Sequence, residues 1–110
     1  MMDIPCAVER VIDGDTMVCT NGVRIRLAGV DAAELHGGCH AECPAMSAME
    51  AKRYVERITY RQTLTCKPNG RSYERIVASC RFRNGEELGC KLLAVGGAVR
   101  VWRYWMPACD

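Results

Sequence analysis

The sequence has no long hydrophobic run and no recognisable targeting segment. Its longest uncharged apolar stretch, residues 92–99, is far too short to span a bilayer. The N-terminal Met1-Met2-Asp3-Ile4-Pro5 lacks the basic and apolar regions of a signal peptide. We therefore expect no membrane association. A secreted or periplasmic location is expected if a signal peptide has been removed, and a cytoplasmic one otherwise.

A dominant charge of one sign is also missing. Lys and Arg number 15 and Asp and Glu 13, which leaves a formal net charge of +2. This excludes a basic coat that would attract nucleic acid over long distances, so any such contact must use individually placed arginines. The chain has no internal repeat and no low-complexity linker. Its 110 residues therefore predict one domain, 1–110, with one core.

The eight cysteines include no C-x-x-C pair, so the usual zinc-ribbon and thioredoxin signatures are absent. An even number permits a disulfide framework and thus an oxidising compartment. We favour the other interpretation for most of them, in which they are small buried apolar residues of strands and helices. This interpretation concerns Cys6, Cys19, Cys66, Cys80 and Cys90.

A dense group of possible metal ligands, His36, Cys39, His40 and Cys43, lies in one short predicted loop. Such residues can hold a transition metal, but their spacing is not a standard zinc pattern. A local Cys39–Cys43 disulfide, or loop residues without a ligand, is favoured over a metal site.

Alternating apolar residues and turn signals predict a small barrel. Five strands are expected at residues 4–12, 16–20, 23–30, 62–67 and 75–82, and helices at 44–60 and 86–95. Asn21-Gly22 predicts a hairpin, and Pro68-Asn69-Gly70 predicts a turn. Five strands with a helix after the third and the fifth predict a mainly β, α+β fold, a closed barrel of the oligonucleotide-binding type.

Three segments carry residues that one reaction site could use. They supply carboxylates from Asp15, Asp31 and Glu34 and guanidiniums from Arg26 and Arg75. Carboxylates that hold a hard cation, beside arginines that hold phosphate oxygens, are what phosphodiester cleavage needs. Each segment alone also has an ordinary explanation: a tight turn around Asp15, a solvated loop after Asp31, and a surface charge at Arg75.

Taken together, these segments resemble the staphylococcal-nuclease-like (thermonuclease) family. The resemblance covers about residues 6–105 and rests on four stretches. They are Val11-Ile12-Asp13-Gly14-Asp15-Thr16, Arg24-Ile25-Arg26-Leu27-Ala28-Gly29-Val30-Asp31-Ala32-Ala33-Glu34, Tyr73-Glu74-Arg75 with Ala78, and Leu92-Leu93-Ala94-Val95-Gly96-Gly97-Ala98-Val99.

The resemblance implies a five-stranded barrel and a calcium-dependent endonuclease that cuts unpaired DNA and RNA and usually leaves a 3′-phosphate. It assigns Asp15 and Asp31 to calcium, with the Ala32 carbonyl as a third ligand. Glu34 becomes the general base that activates water. Arg26 and Arg75 become the pair that binds the phosphate.

The aromatic residues are candidates for contacts with nucleobases. The resemblance favours a substrate contact for Tyr73. Tyr104 and Trp105 are further candidates for stacking on bases, and Trp105 is included among the substrate-binding residues. We expect Trp102 to lie in the core.

The sequence departs from the family in several places. The usual proline before the glutamate is Ala33, the glycine of Tyr-Gly-Arg is Glu74, and a frequent lysine is Ser72. The family's third, C-terminal helix is absent, so Trp102, Trp105 and Met106, or a second copy in a homodimer, are expected to cover the core. A non-catalytic nucleic-acid or protein-binding module, or a subunit completed by a partner, remains the alternative.

Overall fold

The computed structural model describes residues 2–39, 42–102 and 105–109. Within these ranges the chain forms seven strands and two helices. In chain order they are β1 Ile4–Asp13, β2 Thr16–Cys19, β3 Arg24–Leu27, β4 Val30–Asp31, α1 Ala48–Thr59, β5 Thr63–Ser72, β6 Arg75–Arg81, α2 Leu88–Ala94 and β7 Val99–Arg100.

Five of the strands close into a barrel in the order β1-β2-β3-β6-β5, and β5 pairs back onto β1. The β3–β6 pairing is parallel and the other barrel pairings are antiparallel. Ile25 and Leu27 of β3 are buried while Arg24 is exposed, because neighbouring side chains of a strand point to opposite faces. The predicted mainly β, α+β fold with an OB-like closed barrel is confirmed.

The third strand ends earlier than predicted, and this changes the geometry of the site. β3 stops at Leu27, and Gly29 has a φ of +77°, which lets the chain turn sharply. Val30 and Asp31 then form β4, which pairs with β7 in a separate two-stranded sheet. Asp31 therefore lies beside the barrel and not within its wall.

The turn predicted at Pro68-Asn69-Gly70 is wrong, because this segment lies inside β5. A register shift between Pro68 and Gly70 marks a bulge opposite β6, and the strand continues to Ser72. The hairpin turn is at Tyr73-Glu74, between Ser72 and its pairing partner Arg75. The longer hairpin carries Tyr73 away from the barrel wall and leaves its side chain 92% exposed.

The first helix begins at Ala48, later than predicted. Ser47 accepts a hydrogen bond from the Glu50 backbone, and the Glu50 carboxylate accepts one from the Ser47 backbone, which forms a capping box. Ala51 and Val55 of α1 pack onto the core, as do Leu88 and Leu92 of α2. Within the described ranges, no helix has the length and apolar character needed to cross a membrane.

All eight cysteines are paired, so the expectation that most are unpaired is wrong. Cys66 and Cys80 are direct register partners on β5 and β6, with Cα atoms 4.0 Å apart. Cys6 and Cys19 join β1 to β2 with Cα atoms 5.0 Å apart. These four residues are fully buried, as predicted, but a strand pattern does not reveal which buried cysteines face each other. The remaining disulfides are Cys90–Cys109 and the predicted local Cys39–Cys43.

The C-terminal segment covers part of the core through a methionine. Met106 is 3% exposed, and a Cβ atom on Gly29 would lie 2.5 Å from its sulfur, so only glycine fits beneath it. The expectation that Trp102 lies in the core is wrong, since its side chain is 84% exposed. Tyr104 and His40 lie outside the described residues.

Candidate active site

The β1–β2 hairpin carries Asp15 into the protein interior. Asp13 pairs with Thr16 across the turn, and a Cβ atom on Gly14 would lie 2.8 Å from that of Ala51 on α1. The tight turn and the functional interpretation are therefore compatible, since the turn needs Gly14 for close packing and presents Asp15 beside it. Asp15 is 3% exposed.

Asp15 is held by two hydrogen bonds and by the Arg26 guanidinium. Its Oδ1 accepts a hydrogen bond from Thr16 Oγ1 at 2.9 Å, and its Oδ2 accepts one from the Ala32 backbone N–H at 2.9 Å. Burial raises the pKa of Asp15, and the nearby Asp31 carboxylate raises it further. Arg26 and the two hydrogen bonds oppose this rise without cancelling it. The site thus holds a carboxylate whose charged form is costly unless a cation is close.

Arg26 lies between the two aspartates. Its Nη2 donates to Asp31 Oδ1 and lies 3.4 Å from Asp15 Oδ2. Its Nη1 donates to the carbonyls of Leu27 and Val30, each at 2.7 Å. The guanidinium therefore neutralises the carboxylate pair and fastens the turn between β3 and β4.

The carboxylates of Asp15 and Asp31 both lie against the Arg26 guanidinium. A pair of carboxylates that converge in this way also suits a hard cation. Calcium is satisfied by carboxylates, a backbone carbonyl and waters, and Ala32 lies next to Asp15 through their hydrogen bond. No three His, Cys, Asp or Glu side chains of residues 2–39, 42–102 and 105–109 come together as a metal-binding group. A cation would therefore have two side-chain ligands and would compete with the Arg26 guanidinium for them.

Glu34 lies at the start of a short turn that closes on itself. Its backbone N–H donates to the Gly38 carbonyl at 2.7 Å, and Gly38 donates back at 3.2 Å. A Cβ atom on Gly37 would collide with Glu34 Oε2 and lie 3.3 Å from Glu34 Cδ. The absence of a side chain at Gly37 thus leaves room for the carboxylate where it stands.

The β5–β6 hairpin positions Arg75. Its Nη2 donates to Ser72 Oγ at 3.1 Å and its Nε donates to the Ser72 carbonyl at 3.3 Å. Unlike Arg26, it makes no ion pair with any residue in the described part of the chain. Tyr73, at the tip, has a φ of +60°, a left-handed backbone conformation that is costly for a residue with a side chain.

One cavity of about 410 Å³ brings most of the predicted residues together. Two of the three predicted segments contribute to its lining, one with Arg26, Asp31 and Glu34 and the other with Tyr73 and Arg75. Asp15 is not among the lining residues but contacts Arg26, which is, and the buried Ala32 donates its backbone N–H to Asp15. The cavity thus combines two arginines with two carboxylates. Arg26 is ion-paired with the aspartates, whereas Arg75 is hydrogen-bonded to Ser72, and the carboxylates are those of Asp31 and Glu34.

Trp105 is the predicted substrate contact that does not line this cavity. It is 58% exposed and lies against β5, where Lys67 is 5.4 Å from its ring centroid and Asn69 donates to its carbonyl. Among the residues weighed as possible metal ligands, Cys39 and Cys43 are joined in a disulfide, which is one of the two alternatives favoured over a metal site, and His36 is exposed.

Sequence reasoning missed two residues that position side chains lining the cavity. Ser72 holds Arg75, and only the position of the hairpin turn could have indicated this. Gly37 leaves space for Glu34, and its place in a Gly37-Gly38 pair three residues after a candidate base was an available signal.

No model of a known protein family matches the chain, and no curated protein matches it. The thermonuclease resemblance therefore stays a prediction from the residues themselves.

Proposed function

We propose that this protein is a metal-dependent phosphodiesterase of the thermonuclease type that cleaves unpaired DNA or RNA. The observation that carries the proposal is the shared cavity. Five side chains that the sequence separates by up to 49 positions, from Arg26 to Arg75, line one space of about 410 Å³. Their types, cationic forks beside carboxylates, are those that bind a phosphodiester and activate water against it.

Arg75 is the residue best placed to bind the phosphate first. It faces the cavity, Ser72 fixes its orientation, and a planar guanidinium can donate to two phosphate oxygens at once. Arg26 can reach the same phosphate only by giving up part of its bonding to Asp31 and Asp15. A cation held by these two aspartates and the Ala32 carbonyl would offset their charge and that of the phosphate.

Glu34 is the proposed general base. It accepts a proton from a water molecule whose oxygen forms the new bond to phosphorus, and the bond from phosphorus to the leaving nucleoside oxygen breaks. The leaving oxygen takes up a proton from solvent. Arg26 and Arg75 stabilise the negative charge that spreads over the phosphate oxygens during this exchange.

The four disulfides favour an oxidising compartment, such as a periplasm or the extracellular space. We include this location in the proposal, because disulfides in such number rarely persist in a reducing cytosol. A nuclease there would meet free nucleic acid released from cells.

The test is cleavage of single-stranded DNA and RNA by the purified protein, with calcium or with a chelator. We expect cleavage only with calcium, and a loss of roughly 10²- to 10⁴-fold in Glu34→Gln, because general-base catalysis is worth this much. The matched control is Glu9→Gln, which removes an exposed carboxylate on β1 and should leave the rate unchanged. Folded protein that cuts neither substrate in calcium would overturn the proposal.

A non-catalytic binding module is the second candidate, and one observation favours it. The Arg26 guanidinium is bonded to two carbonyls and two carboxylates, so it already serves as a structural cation. In such a module the carboxylates would hold the turn and Arg75 alone would contact phosphate. Salt-sensitive binding of oligonucleotides without cleavage, unaffected by Glu34→Gln, is the result this candidate predicts.

A further inference from the structure

A second cavity, of about 580 Å³, adjoins the candidate active site at Glu34. Glu34 lines both this cavity and the one of about 410 Å³ that is also lined by Arg75. Lys52 of α1 is among the other lining residues of the second cavity. The helix also packs against the β1–β2 turn, because an added Cβ on Gly14 would lie 2.8 Å from that of Ala51. The second cavity therefore connects the candidate active site with α1.

Charged groups of both signs line the second cavity, so it is not a phosphate site by itself. Arg10 and Lys52 supply the cations, and Asp13, Glu34 and Glu56 supply carboxylates. The Asp13 carboxylate is already used by the fold, since its Oδ1 accepts a hydrogen bond from the Leu35 backbone at 3.0 Å. A polyanion that crosses this cavity needs further cations beyond it.

Such cations lie on the exposed face of α1. Arg53 and Arg57 directly follow Lys52 and Glu56, and their four-residue spacing places them on one side of the helix. Both arginines are exposed. Neither of them, nor Lys52, makes an ion pair within residues 2–39, 42–102 and 105–109. We call Lys52, Arg53 and Arg57 the basic row.

The fold alone does not account for the basic row. Like charges four residues apart repel each other and destabilise a helix. The helix dipole favours a cation in the last turn, which explains Arg57 but not Arg53, which lies one turn earlier. Of the two glutamates of α1, Glu50 is used in the capping box and Glu56 lines the second cavity. An anion from outside the chain would therefore be stabilised along this face.

An aromatic ring positions one of the arginines. The Arg57 guanidinium carbon lies 5.6 Å from the centroid of the Tyr54 ring. A contact of this kind restricts the arginine side chain and leaves N–H donors at the edge of the guanidinium for another group. The planar guanidinium can donate two of them to the oxygens of one phosphate.

We propose that the basic row binds phosphates of a nucleic-acid strand whose scissile phosphodiester lies at Arg75. The strand passes Glu34, crosses the second cavity and continues along α1. This rests on the proposed function, since it takes the ligand of the 410 Å³ cavity to be a nucleic acid. Contacts to phosphates carry no sequence preference, so the basic row adds affinity for long strands of any sequence.

The test compares strands of two lengths. Labelled oligothymidylates of about 4 and about 16 nucleotides, which span the site sizes of barrels of this type, are titrated with the full-length, disulfide-bonded protein in chelator. Fluorescence anisotropy at several salt concentrations gives the affinity and its salt dependence. We expect the long strand to bind more tightly and with the steeper salt dependence, because only this strand reaches the basic row.

Variants assign the difference to the helix. The double variant Arg53→Gln, Arg57→Gln should lower the slope of log affinity against log salt for the long strand by about 1.4, since each phosphate contact to a single strand contributes about 0.7. The short strand should bind as before. Lysine at both positions should retain most of the slope. Glutamine and lysine have helix propensities close to that of arginine, so α1 should persist, as circular dichroism would show.

The matched control removes two other exposed arginines. Arg24 on β3 and Arg83 between β6 and α2 make no ion pair in the described part of the chain. The double variant Arg24→Gln, Arg83→Gln has the same net charge as the helix variant. Its long-strand slope should stay close to that of the unmodified protein if the position of the charges matters.

An unchanged long-strand slope in the helix variant would overturn the inference, as would an equal fall in the control variant or in binding of the short strand. Loss of binding to anionic lipid vesicles, with strand binding unchanged, would also overturn it and assign the basic row to a membrane surface. A helix-dependent slope without calcium-dependent cleavage would support the basic row and overturn only the nuclease activity. Cleavage with unchanged strand binding in the helix variant would leave the nuclease and remove the basic row.

Discussion

Replacing Gly37 with alanine tests whether the position of the Glu34 carboxylate matters. The added Cβ would occupy the space of Glu34 Oε2 and would lie 3.3 Å from Glu34 Cδ, closer than an ordinary contact of 3.4–4 Å. The carboxylate is the flexible end of its side chain, so it moves and the backbone stays. Gly37 is outside the left-handed region of φ, so alanine can adopt its backbone conformation.

The expected magnitudes follow from this geometry. Clearing the overlap requires a shift of about 1 Å, and a misplacement of that size can cost about 10²-fold in rate. This corresponds to about 2.7 kcal/mol of activation free energy. The folded state should change little: alanine gains about 0.4–1 kcal/mol by restricting the unfolded chain, and a displaced rotamer costs about 0.5–1.5 kcal/mol.

The assay pairs initial rates on single-stranded DNA in calcium with the melting temperature of the same sample. The neighbouring Gly38 is the matched control. Its φ is +70° and nothing lies within 4 Å of an added Cβ, so Gly38→Ala strains the backbone without displacing Glu34. We expect Gly37→Ala to lose activity and keep stability, and Gly38→Ala to lose about 1–2 kcal/mol of stability and keep most activity.

A double-mutant cycle decides whether Gly37 acts through Glu34. If it does, Gly37→Ala should cause no further loss of rate in a Glu34→Gln background. Two losses that multiply would refute the reasoning, as would full activity in Gly37→Ala. Either result would mean that the space beside Gly37 does not position the base.

Three further predictions concern Asp15, Tyr73 and the Cys66–Cys80 disulfide. Burial raises the pKa of Asp15, so the stability that this group contributes is present below its pKa in the unfolded chain and is lost as the pH rises through its pKa in the folded protein. Asp15→Asn should therefore raise the melting temperature at neutral pH. The same variant should abolish stabilisation by calcium, as a calcium titration followed by calorimetry would show. Tyr73→Gly should stabilise the protein by about 1 kcal/mol in urea unfolding by relieving a φ of +60°, while weakening substrate binding; a lower stability would contradict the assigned strain. Replacing Cys66 and Cys80, 14 positions apart, with alanine should cost about 3 kcal/mol of unfolding free energy, and an unchanged urea midpoint would argue against this pairing.

The barrel was predictable because its local and global signals agree. Ile25 and Leu27 alternate with Arg24 and Arg26, and β3 places the two pairs accordingly on opposite faces. What failed were features that depend on strand register. The pairing of Cys66 with Cys80, and the bulge that carries β5 past Pro68, are set by contacts across the sheet, which a linear pattern does not contain.

The site was predictable as a set of residues and less so as a geometry. The spacing indicated that Arg26 points away from the core, but not that it would bond to the carbonyls of Leu27 and Val30. That arrangement follows from the early end of β3, which turns two carbonyls toward the guanidinium. Trp102 was assigned to the core in place of the third helix that the family normally adds, whereas Met106 fills the space over Gly29.

Two features of the candidate active site lower the stability of the folded protein. They bear on whether the site has a function. Asp15 is buried with a raised pKa, and Tyr73 has a left-handed backbone while its side chain is 92% exposed. Arg26 and two hydrogen bonds offset part of the cost of burying Asp15 without cancelling the rise of its pKa, and the exposed Tyr73 side chain gains little packing. Strained and desolvated groups persist where a ligand or reaction uses them, and elsewhere they are readily replaced by more stable alternatives. Tyr73 lines the 410 Å³ cavity and Asp15 contacts Arg26, which also lines it, so the two features favour a site that binds a ligand over a structural ion-pair network.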